Sequence, residues 1–245
     1  MPGENEDGHP RCLRARPLVD AQEEGTPPEC LVEEILETAR RHLGWIERND
    51  LAPYIAGVWR SLGHVPGKIH FLDLGEPALL ALPGKSLLVS LGLLASLEDE
   101  SQMAFLLSRE IAIDSGGWVL RRFGSAVARR KGWALRIGRG GHGSLKEALN
   151  ASLAFGYGTR VERAADREAL AALIRADYDP HSAAAALRNL EGASMAGCGG
   201  RFLLAADRAD WLDRSAETLG RTGSSRLNRE VYRRAVGGFA VFGDR

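Results

Sequence analysis

Histidine and cysteine are the side chains that most readily bind transition metals, and this chain contains six of the first and three of the second. Cys12, Cys30 and Cys198 are too few and too scattered for a cysteine-based zinc site or a disulfide framework. The histidines show no metal-ligand spacing either: they are His9, His42, His64, His70, His142 and His181. The spacing of these residues alone therefore predicts no metal centre.

Two short motifs could indicate a cofactor or a nucleophile, but their surroundings favour loops. Gly138, Gly140 and Gly143 match GxGxxG, which binds a dinucleotide only between a strand and a helix of a βαβ unit. The sequence around them has no good strand to complete such a unit. Ser194 lies in GASMAG, where Ala196 replaces the second glycine of a nucleophile elbow, so it is interpreted as a loop serine.

A basic segment offers a further possible activity. Residues 115–146 contain eight basic residues and no acidic residue, with Trp118, Phe123 and Trp133 between them. Such a segment could bind nucleic acid or the surface of an anionic membrane. It could equally be a solvated helix face whose aromatic residues pack inward. The balance of 32 basic and 32 acidic residues argues against nucleic acid, and binding of anionic polymers or membranes through residues 121–139 is kept as an alternative function.

The overall composition is that of a soluble globular protein, with 44% hydrophobic and 26% charged residues. The most apolar stretch, residues 78–97, is interrupted by Pro83, Gly84, Lys85 and Gly92, which makes it a poor membrane span. The N-terminus lacks the apolar core of a signal peptide. We therefore predict a cytoplasmic protein without a transmembrane segment, for which peripheral membrane contact is an alternative.

The pattern of apolar and polar residues predicts an α+β fold that is mostly helical, with a small early β-sheet. Residues 1–28 are polar and predict a disordered N-terminal tail, and residues 29–245 a single domain. Strands are predicted over 68–73 and 86–91, on either side of a turn at Pro83 and Gly84. Helices are predicted over 30–48, 53–63, 98–114, 118–131, 144–155, 159–177, 180–190, 208–219 and 227–236.

Two segments carry a family resemblance. Residues 76–114 read EPALLALPGKSLLVSLGLLASLEDESQMAFLLSREIAID, and residues 162–180 read ERAADREALAALIRADYDP. Together they resemble the M48 family of zinc metallopeptidases, in which a proline-glycine turn and an edge strand precede an HExxH helix, and a later helix supplies a third ligand. Residues 229–244 resemble a C-terminal element of some members. The resemblance covers about residues 35–244 and implies a zincin-like M48 scaffold, with an edge strand near residues 78–82.

The resemblance also implies that all three zinc-ligand positions are substituted in this chain. The two histidines of HExxH bind Zn²⁺ and the glutamate is the general base for a zinc-bound water. In an alignment on Glu110 the histidine positions are Arg109 and Ile113, and the third ligand position is Ala164. Arginine offers no lone pair, and isoleucine and alanine have no ligand atom. The general-base position, Glu110, and the neighbouring Asp166 are retained.

The resemblance therefore implies a catalytically inactive pseudoenzyme without a cofactor, which acts as a binding or regulatory partner of an unknown protein or peptide. A peptide could add to the edge strand near residues 78–82. A divergent zinc metalloendopeptidase, with a relocated metal and Glu110 as base, is the alternative enzyme. We further predict that Arg109 forms an internal ion pair in a cleft with Glu110, Glu162 and Asp166; the alternative is a solvated arginine on an exposed rim.

Overall fold

The structure, a computed structural model, describes residues 29–130, 145–193, 206–219 and 226–237. Within these residues there are ten helices: α1 Glu29–His42, α2 Ala52–Ser61, α3 Leu91–Ser96, α4 Glu100–Ser115, α5 Trp118–Arg130, α6 Leu145–Phe155, α7 Thr159–Arg175, α8 Ser182–Ala193, α9 Ala206–Leu219 and α10 Arg229–Val236. The four strands are β1 Trp45–Ile46, β2 Lys68–Leu72, β3 Leu79–Leu82 and β4 Ser86–Ser90. The predicted class, a mostly helical α+β fold with a small early sheet, is confirmed.

The sheet has the order β1-β2-β4-β3. The two strands predicted over 68–73 and 86–91 are confirmed, but they run parallel to each other, with Lys68 opposite Ser86. A tight turn cannot join parallel strands, so the turn at Pro83 joins β3 to β4 instead. β3 therefore lies at the edge of the sheet, next to the turn.

Left-handed backbone at the tip sets the path of this hairpin. Gly84 has φ of +81° and Lys85 has φ of +55°, a region that glycine enters without strain. A Cβ atom at Gly84 would also lie 3.0 Å from the methyl groups of Val32. Glycine thus lets the turn close against α1.

The first helix is shorter than predicted. The apolar pattern continues to Arg48, but α1 ends at His42, and Trp45 and Ile46 form β1 against β2. Gly44, in left-handed backbone, directs its carbonyl to the amide of Asp73 at 2.7 Å. This pairing with a distant segment overrides the local helical pattern.

The central helix α4 begins at Glu100 rather than Glu98. The side chain of Asp99 caps it by accepting from the amide of Gln102 at 2.9 Å. Ser96 ends α3 and donates to the carbonyl of Gly92 at 2.7 Å. The cap places α4 under the sheet and against the later helices.

Every residue of α4 from 100 to 110 is buried. The helix makes its most extensive contact with α7 and also packs on α8, β3 and α2. A helix that is enclosed on all sides belongs to the core, where charged side chains must find partners. Arg109 and Glu110 lie in this enclosed part, so each of these charged side chains needs a partner within the protein.

Several features predicted from the sequence lie outside the described residues. They are the tail 1–28, the motif Gly138–Gly143, Ser194, Cys198 and residues 131–139 of the basic segment. Phe123 of that segment is described, and it is fully buried, as expected for an inward-packing aromatic residue. None of the helices in the described residues is long and apolar enough to cross a membrane.

Candidate functional site

Arg109 is the most buried cation of the described residues, with only 1% of its surface exposed. Its Nε donates to Oδ1 of Asp166 at 2.6 Å, and its Nη2 forms an ion pair with Oε2 of Glu162. Both carboxylates come from α7, which packs along α4. The predicted internal ion pair of Arg109 is therefore confirmed with Glu162 and Asp166, and the alternative of an exposed, solvated arginine is wrong.

A second arginine, which the sequence did not predict, completes this arrangement. Arg208 of α9 donates from Nε to Oδ2 of Asp166 at 2.7 Å and from Nη2 to Oδ1 at 2.8 Å. Its Nη2 also lies 3.9 Å from Oε2 of Glu162. We call Arg109, Glu162, Asp166 and Arg208 the ion-pair centre. Its two cations and two carboxylates balance in charge.

The charge balance of the ion-pair centre determines how Asp166 ionises. Asp166 is fully buried, and burial opposes its ionisation. The charges and hydrogen bonds of Arg109 and Arg208 outweigh this effect and hold the pKa of Asp166 below its usual value. Asp166 therefore remains a carboxylate at neutral pH, with a bidentate partner in Arg208.

Glu162 also orders the start of α7. Its second oxygen, Oε1, accepts from the amide of Tyr157 at 2.9 Å. Gly158 precedes the helix with φ of +91° and offers no side chain to cap it. Glu162 thus satisfies an amide of the turn before the helix while its other oxygen binds Arg109.

The structure corrects the placement of Ala164. Glu162 and Asp166 are four residues apart and share one face of α7, whereas Ala164 is two residues from each, about 200° around the helix. Ala164 is partly exposed, while Glu162 and Asp166 are buried. The position on α7 that faces Arg109 is therefore Glu162, and Ala164 cannot supply a third ligand to the same point.

Ile113 lies where the sequence predicted it, one turn after Arg109 on the same face of α4. It is 1% exposed and belongs to the hydrophobic core. A residue at this position would point to the same side of the helix as Arg109. The side chain of Ile113 packs on this side of α4 and has no atom that binds a metal.

Glu110 is tied to the sheet. The side chain is 1% exposed, and its Oε2 accepts from the backbone amide of Ala81 at 2.9 Å. Ala81 belongs to the edge strand β3, whose four residues are all buried. A peptide added to this edge would have to displace the carboxylate of Glu110 from Ala81. The predicted peptide site near residues 78–82 is therefore not open at this amide.

A pocket of about 260 Å³ lies on the outer side of Glu110. It is bounded by Glu110 and Asp114 of α4, by Lys85 at the tip of the hairpin, and by His64 and Val65 after α2. Burial, followed by the neighbouring charge of Glu110, raises the pKa of Asp114 to about 6, while Lys85 partly opposes the shift. The pocket is thus polar on the side of α4, and its chemistry is that of two close carboxylates.

The residues of the ion-pair centre do not fit zinc. The resemblance would place Zn²⁺ next to Arg109, but a guanidinium is a fixed cation with donors only. The lone pairs that Glu162 and Asp166 could offer a metal instead accept from Arg109 and Arg208. Among the described residues, no three His, Cys, Asp or Glu side chains are grouped as a metal ion would require.

A further buried carboxylate, which the sequence did not predict, lies at the other end of α4. Glu100 accepts from the hydroxyls of Tyr54 and Tyr178, each at 2.9 Å, and from Nδ2 of Asn228 at 2.7 Å. Burial raises the pKa of Tyr178 to about 12, and the hydrogen bond to Glu100 adds to the shift while that to Ser61 opposes it. This cluster joins α2, α4 and the segment before α10, and it is saturated by its own protein partners.

No protein-family model matches the chain, and no curated protein sequence matches it. The resemblance of residues 76–114 and 162–180 to the M48 family therefore remains a prediction. What the structure adds to it is the arrangement of α4 and α7, with Arg109 of one facing Glu162 of the other.

Proposed function

We propose that this chain is a catalytically inactive protein of the M48 metallopeptidase type, which acts as a binding or regulatory partner of another protein or peptide. The observation that carries the proposal is the buried pairing of Arg109 with Glu162 and Asp166. In a zinc site the cation at this point would be the metal. Here the cation is an arginine side chain, which leaves no coordination position for water or substrate.

The zincin-like M48 scaffold is part of the same proposal. Three features support it: an edge strand, β3, precedes α4 in the chain and contacts it; Glu110 reaches that strand; and α7 places Glu162 opposite the first ligand position. They agree with the order of motifs in residues 76–114 and 162–180. The helix phase of α7 adds that Glu162 is the residue to align with the third ligand.

A peptide-cleavage assay combined with elemental analysis tests the loss of catalysis. The purified chain should carry no stoichiometric zinc and should not cleave an unfolded protein or a peptide library above background, with or without added Zn²⁺. The matched control is Glu110→Gln, which keeps an acceptor near Ala81 but cannot act as a base. Cleavage by the native chain that disappears in Glu110→Gln would establish the divergent metalloendopeptidase instead.

A second candidate function is contact with a membrane surface through the start of α5. Trp118 is 38% exposed and Phe155, at the end of α6, is 78% exposed. Arg121 lies 4.6 Å from the ring of Trp118, and Arg122 contacts both Ser152 and the ring of Tyr157, so the two helix ends are neighbours. Exposed aromatic residues beside arginines suit the interface of an anionic membrane.

Sedimentation with lipid vesicles tests this second function. Binding to vesicles that contain phosphatidylserine should exceed binding to pure phosphatidylcholine and should fall in the variant Trp118→Ala with Phe155→Ala. The matched control changes two exposed apolar residues elsewhere, Val65→Ala with Val231→Ala. Equal binding by all three proteins would exclude this surface as the membrane contact.

A further inference from the structure

The helix α7 carries a row of exposed arginines on a different face from its buried carboxylates. Its inner face carries Glu162 and Asp166, which are neutralised within the ion-pair centre. Its outer face carries Arg160, Arg163 and Arg167, all exposed. The spacings of three and four residues place these arginines in one row, about 10 Å long at 1.5 Å per residue.

This row forms one wall of a groove of about 850 Å³ between α7 and α9. The other wall belongs to α9 and includes Asp207, Asp210, Trp211 and Arg214. Trp211 is half-buried and packs against the hydrophobic core, so it gives the groove an apolar surface. We call this feature the arginine groove.

The arginines of the groove differ from several other arginines of this structure, which form ion pairs with carboxylates. Arg48, Arg109, Arg188 and Arg208 each form an ion pair. Neither the row on α7 nor Arg214 forms an ion pair with a residue that the structure describes. Four guanidiniums along one groove therefore remain available to anionic groups from outside.

The acidic residues of the opposite wall indicate the class of anion. Asp210 is held by Arg188 at 3.2 Å, and Arg188 also pairs with Asp213 at 2.6 Å. Asp207 adds a further negative charge beside the row. A nucleic acid, with a phosphate at every nucleotide, would bring some of its charges against these aspartates. A peptide can place carboxylates on one side and neutral or basic side chains on the other.

We propose that the arginine groove binds an acidic peptide segment, whose carboxylates pair with Arg160, Arg163 and Arg167. Extended peptides repeat every two residues by about 6.6 Å on one side, against rises of about 4.5 and about 6 Å between successive arginines of the row, a difference that the long, flexible arginine side chains can span. Guanidinium and carboxylate groups match in a bidentate geometry, and Trp211 offers a surface for an apolar side chain of the peptide. The inference rests on the binding part of the proposed function and not on the loss of catalysis.

Fluorescence anisotropy with a labelled peptide in which glutamate alternates with serine tests the proposal on the full chain, because its carboxylates lie on one side of an extended strand. The peptide should bind at low salt, with an affinity that falls between about 50 and about 200 mM salt because the contacts are charged. The variant Arg160→Ala with Arg163→Ala and Arg167→Ala should weaken binding by about tenfold or more. Because all three side chains are exposed, this variant should fold normally, which circular dichroism would verify.

The matched control removes the same charge elsewhere: Arg60→Ala with Arg233→Ala and Arg234→Ala, which are also exposed. It should change the affinity by less than about twofold, since it alters only the net charge. An equal loss in both variants, or no binding of the glutamate–serine peptide at low salt, would overturn the proposal. So would tighter binding of an oligothymidylate of equal length, which would identify a general polyanion surface. The zinc and cleavage assays are independent of these outcomes, so the two proposals can fail separately.

Discussion

Arg109 and Asp166 lie 57 residues apart in the sequence, yet Nε of one is 2.6 Å from Oδ1 of the other, and their side chains are 1% and 0% exposed. A lone arginine in this position would be far less stable, because an unpaired charge in a protein interior carries a large desolvation cost. The pair therefore explains how a charged residue of α4 can be buried in the core. It also ties α4 to α7, at the point where the proposed M48 scaffold would hold its metal.

The first prediction concerns the stability of this pair. Arg109→Ala leaves Glu162 and Asp166 close together with only Arg208 to compensate them, so we expect a loss of about 3–5 kcal/mol in the free energy of unfolding. Urea unfolding measures it. The control is Arg41→Ala, which breaks an exposed pair with Glu37 and should cost within about 0.5 kcal/mol. Equal effects of the two variants would show that burial of Arg109 has no energetic consequence.

The ion-pair centre also illustrates what a sequence can predict. Glu162 and Asp166 could be placed on one face of a helix because they are four residues apart. The same rule places Ala164 on another face of α7, because it is two residues from Glu162 and two from Asp166. Arg208 carried no local signal, because its role arises from the packing of α9 against α7.

The limits of the fold prediction have a similar cause. The bounds of α5, α6 and α7 agree with the apolar pattern to within two residues, since the periodicity of a helix is a local property of the sequence. The two-residue strand β1 was missed because it depends on pairing with β2, more than 20 residues later. The covering of β3 by Glu110 was missed for the same reason: it is a contact between distant segments.

The second prediction concerns the contact of Glu110 with the edge strand. Glu110→Ala removes the acceptor from the buried amide of Ala81, which should cost about 1–3 kcal/mol. Glu110→Gln retains an amide oxygen that can accept, so its cost should be clearly smaller. Hydrogen exchange of the Ala81 amide gives a direct measurement: it should be faster in the alanine variant. Unchanged protection of this amide would mean that the hydrogen bond does not hold β3.

The third prediction uses the raised pKa of Asp114. In the unfolded chain this carboxyl ionises near pH 3.8, and in the folded protein near pH 6. Between these pH values the carboxyl of Asp114 takes up a proton on folding. Its contribution to stability is therefore present below about pH 4 and is lost as the pH rises to about 6. After allowance for solvent screening, the loss should be about 1–2 kcal/mol.

The sign of this effect is checked by measuring the free energy of unfolding of the native chain and of Asp114→Asn at pH 4, 5 and 6. These values cover the interval between the unfolded and the folded pKa. The asparagine variant should gain stability relative to the native chain as the pH rises. Asp166 acts in the opposite direction, since its lowered pKa removes stability only as the pH falls below its unfolded value of 3.8. A difference between the two proteins that does not change across this interval would contradict the shift of Asp114.

The last prediction tests the correspondence with a zinc site. Arg109→His with Ile113→His places two imidazoles one turn apart on α4 and removes the ion pair of Arg109 with Oε2 of Glu162, which faces the same point. Two histidines and a glutamate are a sufficient set for a catalytic type of zinc site, in which the fourth position is open. We expect this double variant to bind one Zn²⁺ per chain, as measured by elemental analysis after removal of free metal.

The role of Glu162 can be separated from that of Ala164 by two further changes in the same background. Adding Glu162→Ala should abolish zinc binding, because it removes the third ligand. Adding Ala164→Glu should not strengthen binding, since this residue lies on the other side of α7. Activity should stay low even with zinc bound, because Arg208 still engages Asp166 and keeps it from orienting a ligand. A folded double variant that binds no zinc would mean that α4 and α7 do not cross as they do in the M48 scaffold, and the proposed relationship would fail with it.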